Sequence, residues 1–450
     1  MTFEGGDKVR QQLSDLIQKA RDRGASAADA VLVEGTSKSV SWHDGKIESL
    51  EHSEGADLGL RVFFGKQQAI ASSTDRSVAA LDELVDRVIA MAKNAPEDPF
   101  CRIAEPDQLA KNYLTIEMAD DYEIEVSDLI EQAKVAEDAG LAVPGITQSE
   151  STDAGAGQTR ITLATSNGFV GQYERTSYSI SAVMLAGEGT EMERDYDFSA
   201  KAFRTDLASP AEIGRLAAEK TVRNLGARKM PSCQVPVVFD PQEASGLIRS
   251  FIGAILGSSI ARGTSFLKDY MDKPVFAEAI TIIDDPHRPR GYRSKPFDGE
   301  GIATHPLMLV DQGVLKTWLL DLRSAAQLGL QTTGHAARGT SSMPSPSASN
   351  PYVVAGKLTK EELIKDIKSG FYVTETMGMG INGVTGDYSQ AARGFWIEEG
   401  EISFPVNEMT IAGNLKDMFK VMTPANDLDF RYGVDSPTLR IEHMVVAGLS

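Results

Sequence analysis

The sequence predicts an α+β protein, with an N-terminal region of helices and antiparallel meanders followed by a mainly antiparallel β C-terminal domain. Two observations support this class. The order helix, meander, helix occurs twice before residue 225, and the chain after residue 270 contains many short strand-like segments separated by Gly and Pro turns. Two-residue turns between alternating segments favour antiparallel hairpins. The 450 residues correspond to two or three domains of about 150 residues each.

Residues 1–100 form the first predicted α+β domain. Apolar residues recur at helical spacing in residues 7–23 and again in residues 77–93. Asp44-Gly45 is a strong two-residue hairpin signal between two alternating segments. The strands predicted between the helices are 29–34, 37–43, 46–52, 56–64 and 67–72.

Residues 101–230 form the predicted central α+β region. A polar, proline-containing connection begins at residue 94 and places a boundary near residues 95–120. Helical patterns follow at 125–139 and 210–225. The strands predicted between them are 148–151, 158–164, 169–186 and 194–204. The order of elements repeats that of the first region, but the residues show no repeat strong enough to indicate duplication.

Residues 231–450 form the predicted β-rich C-terminal domain. It begins with a short apolar strand at 233–239 and a helix at 242–256. The short strands predicted after it are 280–284, 306–310, 314–320, 394–398 and 401–405, with a hairpin turn at Glu399-Gly400. Residues 341–350 are so rich in Ser and Pro that we expect an exposed loop or arm, and the sequence gives it no role.

The composition excludes several classes of partner. The chain has 64 acidic and 45 basic residues, a formal net charge of −19 and a pI near 4.8. Such a field repels phosphate backbones and anionic lipid, so we expect neither a nucleic-acid nor a membrane partner. No segment approaches the roughly 18 uninterrupted apolar residues of a membrane span, and residues 1–7 lack the features of a secretory signal, so we expect a cytoplasmic protein. Cys101 and Cys233 lie in no metal-binding pattern and are predicted to be small buried hydrophobic residues.

One segment matches a nucleotide-binding pattern, but in the wrong context. Gly378-Met379-Gly380-Ile381-Asn382-Gly383 has GxGxxG spacing and follows the strand-like residues 371–375. A dinucleotide site needs a helix after this motif, whereas residues 384–389 are typical of a turn. We therefore interpret the segment as a glycine-rich loop.

The remaining chemistry-bearing side chains form no familiar catalytic pattern. The chain has no GxSxG nucleophile motif, and its six histidines occur without HExxH or HxH spacing. His287, His305 and His335 share the C-terminal domain, but each is predicted to be an ordinary surface or hydrogen-bonded histidine. Asp298 and Glu300 could face the same way in an extended segment, and a solvated turn is the simpler interpretation.

Longer segments of the chain resemble the TldD/PmbA family, also called the modulator of DNA gyrase family. The likeness covers nearly the full chain, and several long segments in the right order are more specific than any short motif. The segments are VFDPQEASGL (238–247), FDGEG (297–301), DQGVLK (311–316), VTGDYS (384–389), GFWIE (394–398) and PVNEMTIAGNL (405–415).

The resemblance implies one of two roles. In TldD-type chains an HExxxH sequence supplies two histidines that hold zinc with a distant C-terminal cysteine, and its glutamate activates the metal-bound water for peptide hydrolysis. Residues five apart are about 500° round an ideal helix, so this motif needs a widened or kinked turn. PmbA-type chains, also called TldE, lack these ligands and pair with TldD. Together the two resemble a peptidase that trims unfolded or leader-like peptides.

The positions that distinguish the two types can be read in this chain. The HExxxH window falls on residues 242–247, which puts Gln242 and Leu247 in place of the histidines and leaves only Glu243. No cysteine follows Cys233, so the third ligand is missing as well. The resemblance therefore implies a chain without catalytic residues, cofactor or metal of its own, with the zinc in a TldD-like partner.

Two alternatives to this hypothesis stay open at this point. One is a self-standing peptidase with a metal site built from His287, His305, His335 and nearby carboxylates. The other is a homodimeric peptide-binding module without hydrolysis, and a homodimer is also expected if the chain is isolated from its partner. In the main hypothesis, Gly-rich loops of the C-terminal domain, with Gly380, Asn382 and Asp387, meet the partner and an extended peptide substrate.

Overall fold

The computed structural model describes residues 5–378 and 380–448, and its elements confirm the α+β class. The helices are α1 (Gly6–Asp22), α2 (Val78–Asn94), α3 (Val126–Leu141), α4 (Pro210–Arg223), α5 (Pro241–Ala254), α6 (Gly257–Ala261), α7 (Leu322–Leu328), α8 (Lys360–Ile364) and α9 (Leu415–Met418). The strands of the N-terminal half are β1 (Ala27–His43), β2 (Lys46–Phe64), β3 (Gln67–Ser73), β4 (Ile146–Thr165), β5 (Val170–Ala186) and β6 (Glu193–Lys201). Those of the C-terminal half are β7 (Cys233–Phe239), β8 (Ile282–Asp284), β9 (Leu307–Asp311), β10 (Val314–Leu315), β11 (Ala336–Ala337), β12 (Ser345–Pro346), β13 (Pro351–Val353), β14 (Ser369–Met377), β15 (Asp387–Glu398), β16 (Glu401–Asn414), β17 (Met422–Pro424) and β18 (Leu439–Ala447). Within the described residues, no helix is both long and apolar enough to cross a bilayer.

The first and central regions contribute three strands each to one antiparallel sheet. Its strand order is β3-β2-β1-β4-β5-β6, and the two regions meet where β1 pairs with β4 from Asp29↔Thr165 to Trp42↔Thr152. The two strands predicted within β1 are one continuous strand, as are the first two predicted in the central region. Gly35 does not interrupt β1 because both its neighbours in the sheet, Gly55 and Thr159, pair with it.

The two faces of this sheet have different partners. Alternate residues of a strand point to opposite faces. Ala28, Ala30 and Leu32 of β1 belong to the core that α1 and α2 cover, and α3 and α4 cover the same face further along. Val31 and Val33 point the other way and pack with Phe297 and Ile302 of the C-terminal domain. The C-terminal domain therefore docks on the sheet face that carries no helix.

The C-terminal domain is built on a second six-stranded sheet. Its order is β16-β15-β14-β7-β18-β17, and an additional β16–β18 pairing closes five of these strands on themselves. All of these pairings are antiparallel except β7 with β14. A smaller sheet, β10-β9-β8-β13, and α5 pack around the same core. The predicted hairpin at Glu399-Gly400 joins β15 to β16 and is confirmed.

The prediction that residues 341–350 form an exposed arm is wrong for the second half of the segment. Ser345–Pro346 form β12, which pairs with β11. The side chain of Asn350 is completely buried, accepts a 2.9 Å hydrogen bond from the Arg293 amide and donates to the Asp285 carbonyl at 2.8 Å. A buried polar side chain is tolerated where its hydrogen bonds are satisfied, which composition alone does not reveal.

The solvated turn predicted at Asp298 and Glu300 is also wrong. Both carboxyl groups are buried against the N-terminal sheet. Asp298 accepts hydrogen bonds from the amides of Glu300 and Ile302, at 2.8 and 3.0 Å. Glu300 accepts one from the Leu322 amide at 2.8 Å, and burial raises the pKa of Glu300 to about 8. Of the two cysteines, Cys101 is buried as predicted, while Cys233 is only partly buried.

Candidate functional site

Residues 240–243 form the start of α5, directly after the C-terminal end of β7. β7 ends at Phe239, and the Asp240 side chain accepts a 2.9 Å hydrogen bond from the Glu243 amide, which caps the helix. Pro241 occupies the first helical position, where its fixed φ favours the start of a helix. β14 runs parallel to β7, so its last residues lie beside the start of α5. The Asp240 cap and Pro241 together place Glu243 in the first turn of α5.

Glu243 is a largely buried carboxyl with one hydroxyl partner. Its Oε2 accepts a 2.6 Å hydrogen bond from the Thr376 hydroxyl of β14. Burial raises the pKa of Glu243 to about 7, and the nearby carboxyl groups of Asp240 and Glu375 add to the effect. Burial also raises the pKa of Asp240 to about 6. The start of α5 therefore holds acidic groups that bind protons near neutral pH.

Gln242 and Leu247 lie in different surroundings on α5. The Gln242 amide nitrogen donates a 2.6 Å hydrogen bond to the Tyr196 hydroxyl of β6. Leu247 is 2% exposed and belongs to the hydrophobic core of the C-terminal domain. The helix is α-helical from Pro241 to Ala254, without the widened turn that would bring both positions round to one point.

The zinc site of TldD-type chains does not fit these residues. Leu247 has no donor atom, and the Gln242 amide is a poor zinc ligand beside imidazole or thiolate. Across residues 5–378 and 380–448, no three His, Cys, Asp or Glu side chains are placed together to hold a metal ion. Among the described residues, Glu243 therefore does not belong to a group of metal-ligating side chains.

A cavity of about 440 Å³ lies between β6 and α5. The Gln242 side chain and the Tyr196 hydroxyl separate it from a second cavity of about 210 Å³ beside Asp240 and Glu375. The larger cavity is lined by both aromatic and polar side chains. Its principal lining residues are Tyr196, Phe198, Gln242, Glu243, Arg249, Tyr292, Thr376, Arg431 and Tyr432.

The β6 edge that borders this cavity is covered by side chains. The outward amides of Tyr196 and Phe198 each bond to the preceding carboxylate, of Asp195 and Asp197 respectively, at 2.7 Å. Arg431 donates to the Phe198 carbonyl. Natural sheets protect edge strands in this way against pairing with another chain. These amides and this carbonyl of β6 are therefore already paired and are not open to a ligand of the cavity.

The three histidines of the alternative metal site do not share a common set of partners. His335 is buried and lies 3.1 Å from an Asp284 carboxylate oxygen through Nε2, and its Nδ1 lies 2.7 Å from the Thr333 carbonyl. His287 Nε2 lies 3.0 Å from the Thr304 hydroxyl. Burial lowers the pKa of His287, and His305 lowers it further. The structure gives His287 and His335 separate polar partners, and His305 is exposed.

The predicted loop residues Gly380, Asn382 and Asp387 build the turn between β14 and β15. Asn382 Oδ1 accepts a 2.9 Å hydrogen bond from the Val384 amide, and Asp387 accepts a 2.6 Å bond from the Thr385 hydroxyl. A Cβ atom on Gly380 would lie 1.6 Å from the Ser389 carbonyl oxygen, so this position requires glycine. Met379 of the GxGxxG segment lies outside the described residues. None of the three predicted residues lines the cavities beside α5.

Two residues of the site, Thr376 and Tyr196, are not identified from the sequence. Thr376 lies just beyond the strand-like residues 371–375, and Tyr196 lies in a predicted strand of the central region. The alternation of strand residues could have shown which face each occupies. Nothing in the sequence indicates that β6 meets α5, because that contact joins two distant parts of the chain.

Family models match three successive parts of the chain. The model described as PmbA/TldA metallopeptidase domain 1 matches residues 28–92, and the central-domain model matches residues 119–225. The C-terminal domain model matches residues 232–448, which include α5 and β14 beside the cavity. Together the matches cover most of the chain.

Related proteins match over the full length. The Escherichia coli O157:H7 protein named metalloprotease PmbA is 34% identical over 98% of this chain and 97% of its own length. A Haemophilus influenzae homologue of that name is also 34% identical, over 98% and 96%. The crystal structure of a proposed modulator of DNA gyrase from Bacteroides thetaiotaomicron superposes with a TM-score of 0.91 at 26% identity, covering 98% and 99% of the two chains. TldE from Thermococcus kodakarensis shares the fold, with a TM-score of 0.88 at 20% identity over 97% and 100%.

Proposed function

The chain belongs to the PmbA/TldD metallopeptidase family, and from this premise we propose that it is the non-catalytic, PmbA/TldE-type subunit of a two-chain zinc metallopeptidase. The partner is a TldD-like paralogue that holds the zinc and the catalytic glutamate. The pair degrades or matures unfolded or leader-like peptides in the cytoplasm. This chain supplies structure and encloses the substrate.

The observation that carries this proposal is the identity and placement of the residues in the HExxxH window. Gln242 is committed to a hydrogen bond with Tyr196, and Leu247 is packed in the core. Neither can contribute to a zinc site, and water without a metal keeps its high pKa. The glutamate of the motif is retained, but it has nothing to activate.

Glu243 also lacks a second carboxylate with which to work as a metal-free acid and base pair. Asp240 caps α5 through the Glu243 amide. Glu375 forms an ion pair with Arg393. Metal-free hydrolysis by carboxyl groups alone, as in aspartic proteases, uses two carboxyl groups that share access to one water. The arrangement supports a structural role for Glu243 through its bond to Thr376.

We place the contact with peptide or partner at the loop between β14 and β15. This loop holds Gly380, Asn382 and Asp387 in a network of turn hydrogen bonds. The side chains of Met377, Ile381 and Val384 are exposed there although they are apolar. Exposed apolar side chains grouped together are typical of a surface that meets another protein.

The experiment is co-expression of this chain with the TldD-like paralogue of the same organism, followed by size exclusion, metal analysis of each subunit, and an assay on an unfolded peptide. The proposal predicts a heterodimer with one zinc, located in the paralogue, and hydrolysis only by the pair. Stoichiometric zinc in this chain, retained after treatment with a chelator, would contradict it. Peptide binding by a stable homodimer that never associates with the paralogue would instead support the binding-module alternative.

A further inference from the structure

Arg249 and Arg431 line the larger cavity, Arg288 and Arg293 lie close to its lining residues, and among the described residues only two of the four arginines are paired with a carboxylate. Arg431 pairs with Asp197, and Arg288 lies 3.4 Å from the buried Asp435 carboxylate. The other oxygen of Asp435 accepts the backbone amides of residues 431 and 432, at 2.9 and 2.7 Å. Within the described residues, Arg249 and Arg293 form no ion pair with a carboxylate. The mouth therefore carries excess positive charge in a chain of net charge −19.

Arg249 is held in place with part of its guanidinium group free. It extends from α5, about two turns after Gln242, on the helix side that lines the cavity. Its Nη2 donates to the Tyr432 carbonyl at 3.1 Å and lies 3.4 Å from the Ser245 hydroxyl. Nε and Nη1 donate to no described group. A guanidinium that is fixed at one end can bind a planar anion at the other with little loss of entropy.

Arg293 supplies a second positive charge at the same opening. Its Nε would lie 3.9 Å from a Cβ atom on Gly433, which lines the cavity, and the neighbouring Tyr292 lines it as well. Burial lowers the pKa of the Arg249 guanidinium, and the charge of Arg293 lowers it further. The negative charge of a bound anion would oppose both effects, because it favours the charged guanidinium.

We propose that this cavity binds a carboxylate of an extended peptide, with Arg249 as its principal ligand. Arginine recognises a carboxylate through two parallel hydrogen bonds. The aromatic rings of Tyr196, Phe198 and Tyr432 offer walls for the adjoining peptide side chains. A volume of about 440 Å³ is within the usual range for a small ligand.

The acidic start of α5 limits which anions the cavity accepts. Glu243 lines the same cavity, and Asp240 and Glu375 lie behind it. A singly charged carboxylate at the mouth stays away from these groups, whereas a polyphosphate filling the cavity would meet them. The carboxylate can come from the C-terminus of the peptide or from an acidic side chain, and the chemistry at Arg249 is the same for both.

The test is equilibrium binding of the full-length chain to three versions of one unstructured hexapeptide. The versions have a free C-terminus, an amidated C-terminus, and an amidated C-terminus with one internal Glu. We expect the free-acid form to bind about tenfold more tightly than the amide, since one charge-assisted pair is gained. Tight binding of the Glu-containing amide would identify a side-chain carboxylate as a ligand, and weak binding would restrict the site to the C-terminus.

Matched variants connect this preference to the cavity. Arg249→Gln should remove the preference for the free acid, and Arg249→Lys should retain part of it. Arg215→Gln should change nothing, because Arg215 lies on α4 and pairs with Glu219 at the surface. Circular dichroism checks that each variant is folded. Equal affinity for all three peptides, or a preference for the carboxylate-bearing peptides that is unchanged in Arg249→Gln, would overturn the inference.

The inference rests on the proposed peptide substrate, but the two can fail separately. If the chain pairs with its paralogue and supports hydrolysis while binding all three peptides equally, only the carboxylate site is wrong. If the chain prefers the free acid through Arg249 but never pairs with the paralogue, the carboxylate site stands and the subunit role is wrong.

Discussion

Gln242 and Leu247 lie on different sides of one regular helix. The Gln242 amide bonds to the Tyr196 hydroxyl beside the cavity, whereas Leu247 is 2% exposed in the core. Five residues of an ideal α-helix turn through about 500°, so these side chains point about 140° apart. Gln242 and Leu247 stand where the HExxxH motif has histidines, and the regular helix keeps these two positions too far apart in direction to bind one metal ion.

Restoring both histidines should not restore a zinc site. We expect the double variant Gln242→His, Leu247→His to bind no stoichiometric zinc, because residue 247 points into the core. Leu247→His should lower the free energy of unfolding by about 2–4 kcal/mol through lost packing and a buried polar ring. Gln242→His alone should fold normally. Metal analysis and denaturant unfolding check both statements, and one zinc per chain in the double variant would refute them.

Glu243 should make stability depend on pH. Burial raises its pKa from 4.5 to about 7, so the folded state binds a proton that the unfolded state has released. Stability contributed by this group is thus full below pH 4.5, falls as the pH rises towards 7, and is absent above it. Glu243→Gln removes the titration, so its free energy of unfolding relative to wild type should increase between pH 5 and pH 8.

The matched control for this titration is Glu131→Gln, which changes an exposed carboxyl on α3. Its difference from wild type should stay constant over the same range. Denaturant unfolding at four or five pH values measures both variants. A Glu243→Gln difference as flat as that of the control would show that Glu243 is ionised throughout.

The loop between β14 and β15 contains a matched pair of glycines. A Cβ on Gly380 would collide with the Ser389 carbonyl oxygen, whereas a Cβ on Gly383 would meet no atom within 4 Å. Gly380→Ala should therefore cost about 2 kcal/mol or more and weaken association with the paralogue, while Gly383→Ala should change stability by less than about 0.5 kcal/mol. Thermal unfolding and size exclusion of the pair provide the comparison. Normal pairing by a folded Gly380→Ala would place the partner surface elsewhere.

The N-terminal sheet and the C-terminal domain are joined by a buried ion pair between Asp29 and Arg338. Each side chain is 2% exposed, and Asp29 also accepts a 2.8 Å bond from Arg61. Burial opposes ionisation of Asp29, but Arg338 and Arg61 outweigh it and lower the pKa. Asp29→Ala should cost about 3–5 kcal/mol because it leaves two buried guanidinium groups without their shared carboxylate.

The control for this ion pair is Glu219→Ala, which breaks the exposed pair with Arg215 on α4. It should cost at most about 0.5 kcal/mol. Denaturant unfolding compares the two variants. If Asp29→Ala costs no more than the control, the junction between the N-terminal sheet and the C-terminal domain does not depend on this charge.

Local patterns predicted the elements well where their signals lie in neighbouring residues. Helix α5 was expected at 242–256 and occurs at Pro241–Ala254, because the cap at Asp240 and the apolar spacing are both local. The joining of the first and central regions into one sheet was not expected, since the pairing of β1 with β4 spans more than a hundred residues. Asp298 and Glu300 were misinterpreted because a polar, Gly-rich segment resembles a turn until its buried partners are known.

For the site as well, residues in one continuous segment could be located from the sequence, whereas contacts between distant segments could not. The resemblance located Gln242, Glu243 and Leu247, and the structure places the first two at a cavity and the third in the core. Tyr196 and Thr376 come from distant strands and were not foreseen. The sequence also does not predict that Arg249 lacks an ion pair with a carboxylate, because it does not show which carboxylates lie near Arg249.

The most direct test of the central claim is the rate of peptide hydrolysis by the purified pair when one glutamate at a time is changed to glutamine. We expect Glu243→Gln in this chain to leave the rate within about twofold of wild type, and the same change in the HExxxH motif of the TldD-like partner to lower it by about a hundredfold or more. Loss of hydrolysis with Glu243→Gln, in a pair that still assembles and still holds its zinc, would contradict the claim that this chain is the non-catalytic subunit.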